Sequence, residues 1–517
     1  MSSDRFRALL EETALFSEGN PYHAGWEFVR ISEIEMHPDP TRVISKPFLH
    51  GQEISLKGYS RAAAVINRIM AIPEGEILAL LRTVVASFNA RHRDLEAVLE
   101  GNFQMITRLL PDPCELSWER RMLIGAYFTQ EYAVESAALF NPSIVPHPNQ
   151  TGLPNGALRF IMSLRGVGEG HVSCIEFRTG IIDATGSVAY DDVKTSSGYL
   201  VTPTIIQSHY SREVFREQYA ELSGSTEDAE FITQTLPDEF LRADLDRLLG
   251  WLGEQELTRG ARTVIIERLA RIADCNYTIT FPEQTRLSER IITPYGLSEL
   301  NGMEDVRMVH LLNADGTYTY YGTYTAYDGK RVAPQMFVTD DFLTFRMFQI
   351  AGNAAKDKGV AVFPRKVNGR YMALSRWDKE NNLLASSSNL TYWEDEGPLI
   401  TPEFPWDLFQ MGNCGSPIET EAGWIVLTHG VGSMREYSIG VALLDLDDPS
   451  VVLGKLERPL LTSTPLNRDG YVPNVVYSCG ALLYGETLIL PHGCNDTTVR
   501  IALINLPELL RELTRSV

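Results

Sequence analysis

Glu304 and Asp305 stand side by side in the string Gly302-Met303-Glu304-Asp305-Val306-Arg307. A carboxyl group held in a dry cleft can act as a general acid, because desolvation raises its pKa. Neighbours on an extended strand face opposite ways, so the pattern predicts that only one of the two points into a shared site. On its own such a pair is the ordinary content of a solvated turn. Lys366, Arg376 and His429 recur at comparable places in the segments that follow, where a strand core would prefer apolar side chains. Gathered around one centre, three cations would hold an anion, and arginine can grip a phosphate through two parallel hydrogen bonds. Taken singly, each is equally a rim charge on a solvated loop.

Other chemical signals are weaker. Arg165-Gly166-Val167-Gly168-Glu169-Gly170 has the glycines of a phosphate loop but no helix after it, which excludes a dinucleotide or P-loop site. Ser416 and His429 lack the G-x-S-x-G elbow of a serine hydrolase. Trp393 and Trp424 are candidates for sugar stacking and equally for core packing. The six cysteines show no metal-ligand spacing, and free buried thiols in a cytoplasmic protein are the expectation. Neither a metal nor an organic cofactor is called for.

The elements that position these residues repeat. Strand openings occur at Asn141-Pro142-Ser143, Glu304-Asp305-Val306, Phe363-Pro364-Arg365, Gly415-Ser416-Pro417 and Pro473-Asn474-Val475. Each leads through a turn to a second strand that ends on a polar residue, Arg165, Arg376, His429 and His492 among them. From Glu304 onward the period is about 55 residues, the size of a β-propeller blade. The reading is mainly β: a five-bladed propeller over 136–517, whose inner strands bring scattered polar residues to one funnel. A two-sheet sandwich fits less well, since sandwiches lack such self-similarity. Apolar residues at three- and four-residue steps from Leu56 to about Glu135 predict an α-helical N-terminal domain over 1–135, and Met122 to Leu139 reads as its last amphipathic stretch. Lys46-Pro47-Phe48-Leu49 resembles the leader of an outer strand, so the first 50 residues are expected to add to the propeller rim. A second helical stretch, about 211–273, falls between the first two blades as an insertion.

The formal net charge of −21 disfavours nucleic acid and anionic membranes as partners. Met1 to Phe16 carries charges throughout, unlike a signal peptide, and no run has the length of a membrane span. The expected location is the cytoplasm, and an assembly of identical copies is compatible with everything above.

Taken in order, these strings resemble glycoside hydrolase family 130, the β-mannoside phosphorylases and β-mannosidases. Gly302-Met303-Glu304-Asp305-Val306-Arg307 is similar to its G-x-E-D-P-R signature, and Phe363 to Tyr371 to its F-P-E-K-I-x-G-K-Y. Gly415-Ser416-Pro417-Ile418, Gly423-Trp424 and His429-Gly430 resemble a third segment, and Val472 to Val476 with Gly493 to Asp496 the last blade. Val306 stands where the family has proline, Arg365 where it has glutamate, and Ser416 where it often has a further proline.

The resemblance implies inverting phosphorolysis of β-D-mannosides at the non-reducing end, with Asp305 as general acid acting through the 3-hydroxyl of the mannose. Inorganic phosphate, as co-substrate, would attack the anomeric carbon, so no second enzymic carboxylate is needed. Lys366, Arg376 and His429 would cradle the phosphate, with Arg307 and Arg331 as further candidates. Asn141, Arg165 and Asp496 would hold mannose hydroxyls, with Glu304 and His492 beside them. An inverting β-mannosidase is the alternative within the family, and a non-catalytic glycan-binding scaffold the alternative outside it.

Overall fold

The computed structural model describes residues 25–48, 61–110, 115–191, 199–206, 210–254, 259–463 and 469–515. The protein is mainly β, with helices in its N-terminal part. The repeated strings form antiparallel ladders; the openings at Asn141 and Glu304 lie inside the first strands, the opening at Pro473 just before one, and those at Phe363 and Gly415 just after one. The first runs Ala138–Pro146, Leu158–Val167, Ser173–Ile182. The second runs Gly302–Leu312, Tyr318–Tyr327, Val332–Thr339, Thr344–Gln349, and continues into Tyr277–Thr280 and Thr204–Ile206. A single parallel pairing, Gly302 with Ser173, joins these two into one hydrogen-bonded sheet. The third ladder is Ala361–Val362, Tyr371–Ser375, Asn382–Ser387, Glu394–Ile400. The fourth is Gln410–Asn413, Gly423–Val431, Tyr437–Leu444, Val452–Lys455. In the fifth, Val476–Tyr477, Thr487–Cys494 and Thr498–Asn505 are completed by Val29–Ile31 from the beginning of the chain.

Strand faces of alternating apolar residues bury themselves by packing ladder on ladder, the main source of stability for such sheets. Phe177 and Ile161 meet Phe337 and Phe345 between the first and second ladders. Leu311 and Met336 meet Val362 and Trp393 between the second and third, and Phe363 meets Trp424 between the third and fourth. Leu427 and Val441 meet Leu488 and Leu490 between the fourth and fifth. Ile489 and Ile501 of the fifth then pack on Phe160 and Met162 of the first. A cavity of about 220 Å³ touches all five, lined by Ile144, Met308, Pro364, Ser416 and Leu482 among others. Trp393 and Trp424 are fully buried, their indole N–H groups donating to the carbonyls of Leu390 and Leu446, so they are core residues and not sugar platforms.

Helices Arg61–Met70, Glu74–Phe88, Leu95–Ile106 and Trp118–Tyr127 share a core around Ile66, Ile77, Phe103 and Ile124. Helices Arg212–Ser223, Thr226–Thr233, Arg242–Glu254 and Arg259–Asp274 form another around Phe215, Phe240 and Leu269.

Two local expectations are corrected. The segment after Tyr127 is a strand, Thr129–Ala133, and not a continued helix, because Gln130 and Tyr132 pair with Lys46 and Ile44 of Val43–Pro47. That pairing also keeps Lys46-Pro47 off the rim of the ladders, where Val29–Ile31 stands instead. Leu49, the start of the first predicted helix (56–60) and Cys114 lie outside the described residues. The other cysteines are buried and unpaired.

Candidate active site

The first two ladders carry the same irregularity at the same place. Register slips between Phe140 and Ser143, and again between Glu304 and Arg307. Within these bulges Asn141 and Asp305 have φ of 50° and 58°. Asn and Asp tolerate the left-handed region better than other side-chain-bearing residues, and a bulge re-aims what it carries. The result overturns the expectation that only one of Glu304 and Asp305 can face the site. Arg165, at the end of the neighbouring strand, binds Glu304 Oε1 at 2.6 Å and Asp305 Oδ1 at 3.5 Å. Asn141 Nδ2 donates to the same Asp305 oxygen at 2.6 Å, and Lys358 Nζ reaches Glu304 Oε2 at 2.7 Å.

Burial pushes the Asp305 carboxyl up, but the charges of Arg165, Lys358 and Arg307 with the Asn141 hydrogen bond outweigh it. Asp305 is held below the usual carboxylate range and is ionised in the free protein. Asp496 is different. It sits in a turn with φ of 48°, and burial raises its pKa to about 7 against the opposing pull of Arg165. Two carboxyls acting on one arginine are thus driven apart in proton affinity.

A second cluster begins two residues along from Asp305. Arg307 donates from Nε to Asn413 Oδ1 at 2.9 Å, from Nη1 to the Asp305 carbonyl at 3.0 Å and from Nη2 to the Tyr477 hydroxyl at 2.7 Å. His429 Nδ1 lies 3.1 Å from the Asn413 carbonyl, which can only accept, so Nδ1 carries the proton. Nε2 is then the acceptor for Arg376 Nη1 at 3.1 Å. Burial, reinforced by Arg376 and Arg307, holds the His429 pKa well below its ordinary value. His429 is therefore a neutral prop for Arg376 in the free protein, not the third cation that its sequence position suggested. A side chain at position 412 would meet His429 Cε1 at 2.6 Å and Arg376 Cδ at 2.9 Å, so this contact requires Gly412. Among the described residues Arg165 Nε, Arg376 Nε and Asn141 Oδ1 are buried without a hydrogen-bond partner, as expected of groups waiting for a polar ligand.

The structure thus brings together Asn141, Arg165, Glu304, Asp305, Arg307, Arg376, His429 and Asp496. It does not bring Lys366, Arg331 or His492 to them. Lys366 is exposed at the turn of its hairpin with Nζ over the Tyr371 ring, level with the start of Tyr371–Ser375. Arg376 follows the other end of that strand, about 17 Å away along extended chain. Arg331 is exposed in the turn before Val332–Thr339, its N–H held by the Asp328 carboxylate. His492 is buried beside the Leu490 carbonyl, and desolvation lowers its pKa to about 4.

Lys358, Asn413 and Tyr477 escaped the sequence reading. Lys358 stands beside Gly359, whose φ of 89° marks a left-handed residue just ahead of Ala361–Val362. No cluster of three or more His, Cys, Asp or Glu among the described residues is arranged to hold a metal ion.

Comparison with known proteins places this geometry in a family. Residues 265–515 match the family described as beta-1,4-mannooligosaccharide phosphorylase. A 1,2-β-oligomannan phosphorylase of Thermoanaerobacter sp. (strain X514) is 29% identical over 231 residues, covering 43% of this chain and 75% of the relative. A β-1,2-mannobiose phosphorylase from the same organism is 31% identical over 216 residues, covering 39% and 67%. That of Listeria innocua is 33% identical over 230 residues, covering 43% of this chain and 62% of its own length. Among solved structures, the Listeria innocua β-1,2-mannobiose phosphorylase in complex with β-1,2-mannobiose aligns with a TM-score of 0.43 at 22% identity, over 74% of this chain and 93% of that one. The chain belongs to glycoside hydrolase family 130.

Proposed function

We propose that the protein cleaves non-reducing-end β-D-mannosides by inverting phosphorolysis, releasing α-D-mannose 1-phosphate. The observation that carries this reading is the set of partners of Arg307 and Arg376. Among the described residues their hydrogen bonds go to an amide, a phenol, a peptide carbonyl and an imidazole, none to a carboxylate. Although Asp305 and Asp378 feel these charges, neither forms a direct ion pair with the two arginines, so a phosphate there can accept two hydrogen bonds from one guanidinium. An inverting hydrolase would instead need a second carboxylate as base for water. The named relatives, β-1,2- and β-1,4-mannoside phosphorylases, support the same choice.

Asn141, Arg165 and Asp496 hold hydroxyls of the terminal mannose in this reading, and Glu304 fixes Arg165 and Lys358. Asp305 delivers the proton to the leaving oxygen through the sugar 3-hydroxyl. It starts ionised, so it must gain affinity for a proton in the ternary complex. Sugar binding removes water, and the incoming phosphate adds negative charge; both raise a carboxyl pKa. Arg307 and Arg376 orient the phosphate at the opposite face of the anomeric carbon.

The five ladders serve as the blades of a propeller over 136–517, with the helices at 211–273 inserted between the first two. Support comes from each ladder packing on the next and the fifth on the first. The N-terminal unit, taken over 1–135, carries the described helices from Arg61 to Tyr127 and lends Val29–Ile31 to the last blade. Free buried thiols fit a cytoplasmic setting.

The test is to incubate the protein with β-1,2- and β-1,4-mannobiose, with and without inorganic phosphate, and identify products by NMR. Phosphate-dependent α-mannose 1-phosphate is expected. Free mannose at equal rates in both conditions would replace the phosphorylase by a hydrolase.

A further inference from the structure

The turns that follow Leu158–Val167 and Gly423–Val431 have the same backbone shape in two different ladders. Gly168 and Gly432 share φ, ψ of −102°, −161° and −98°, −160°. Each is followed by two consecutive left-handed residues, Gly170 and His171 in one, Met434 and Arg435 in the other. Left-handed His, Met and Arg store strain that persists only where the surroundings over-determine it, and such strain gathers at ligand clamps. In both turns the strained residue meets an aromatic ring. Arg435 lies 5.9 Å from the centre of Tyr437, whose ring stacks on His429. His171 Nδ1 shares a 2.8 Å hydrogen bond with the Tyr471 hydroxyl, and the two rings lie 5.7 Å apart.

Tyr471 is fixed at further points. Its N–H donates to Thr497 Oγ1 at 2.7 Å, beside Asp496, and its ring packs against Phe140 at 6.4 Å. Arg165 lies over the other ring of that pair, 5.1 Å from the centre of Phe140. A continuous set of contacts therefore runs from Asp305 through Arg165 and Phe140 to Tyr471 and His171. Despite these restraints Tyr471 remains 42% exposed. A ring anchored at its amide and hydroxyl, in a residue that keeps this much exposure, is pre-organised to receive a flat apolar face at little entropic cost. The C–H face of a pyranose is such a surface.

Building on the phosphorolytic reading, we propose that Tyr471, positioned by His171, is the platform on which the leaving-group sugar stacks, and so governs which acceptors the enzyme accepts. It lies two contacts from Arg165, through Phe140, and is tied by its N–H to Thr497 beside Asp496, both residues assigned to the terminal mannose.

The test runs the reaction backwards, with α-mannose 1-phosphate as donor and mannose or β-1,2-mannobiose as acceptor. Tyr471→Ala should raise the acceptor KM by about tenfold or more while the donor KM stays within about twofold. Tyr471→Phe, which keeps the ring and loses the bond to His171, should restore most of the acceptor KM. An unchanged acceptor KM in Tyr471→Ala, or an equal rise in both constants, would overturn the platform. If the wild-type protein makes no product, the phosphorylase reading fails and calorimetry decides the platform. β-1,2-Mannobiose titrated into Asp305→Asn should then bind about tenfold more tightly than to the Asp305→Asn/Tyr471→Ala double variant. Equal affinities, or no binding to either, would reject it.

Discussion

Arg165 and Arg307 both bind Asp305, the first through its carboxylate and the second through its backbone carbonyl, yet they are held in opposite ways. Arg165 is matched by Glu304 and Asp305, with Asp496 close enough to respond to it. Arg307 is propped by Asn413 and Tyr477, and Arg376 by the neutral His429. In the first region cationic charge is consumed inside the protein, leaving oxygens and N–H groups suited to a neutral sugar. In the second no carboxylate makes a direct ion pair with Arg307 or Arg376 among the described residues, because the props hydrogen-bond without carrying negative charge. The residue type is the same in both; the partners decide whether its charge is met by a carboxylate or by neutral groups.

The largest effect should come from removing the group the two regions share. Asp305→Asn is expected to lower kcat by about a thousandfold or more, while calorimetric phosphate affinity stays within about threefold. Loss of phosphate binding together with kcat would mean that the regions are not separable.

Next, Glu304→Gln should leave Arg165 and Lys358 to act on Asp305 alone. Its carboxyl is then driven still lower and is harder to protonate, so kcat should fall by about ten- to a hundredfold without a rise in phosphate KM.

Asp496→Asn probes the raised carboxyl. A pKa near 7 in the folded protein, above the unfolded value, means that ionisation of Asp496 in place costs stability once the pH passes the unfolded pKa. The variant should therefore melt higher than the wild type at pH 8, with the gap shrinking as pH falls towards 4. A gap that widens on acidification would reverse the assignment.

The smallest effect is reserved for Lys366→Ala. Being exposed at the hairpin turn, Lys366 should change the phosphate KM by less than about twofold, as expected for a surface substitution. A tenfold rise would return it to the anion site.

These contrasts were only partly legible in the sequence. The spacing of the strand openings and the Glu304–Asp305–Arg307 and Arg376–His429 positions could be read, because they depend on short local strings. The sharing of Arg165 by both acidic neighbours could not, since it follows from the left-handed turn of Asp305, which strand alternation does not anticipate. Lys366 looked equivalent to Arg376 because both stand near strand ends. Only the hairpin register shows that they are opposite ends. The neutral state of His429 depends on its burial and on Arg376 and Arg307, and its tautomer on the Asn413 carbonyl sixteen residues earlier. Thr129–Ala133 looked like a helix continuation because its pairing partner lies far back in the chain.

The claim that the second region is the phosphate site is tested most directly by initial rates of Arg376→Gln over a grid of phosphate and β-1,2-mannobiose concentrations. The phosphate KM should rise by about tenfold or more, with the mannobiose KM within about twofold of the wild type. A raised mannobiose KM with unchanged phosphate dependence would contradict it, and would move Arg376 to the sugar.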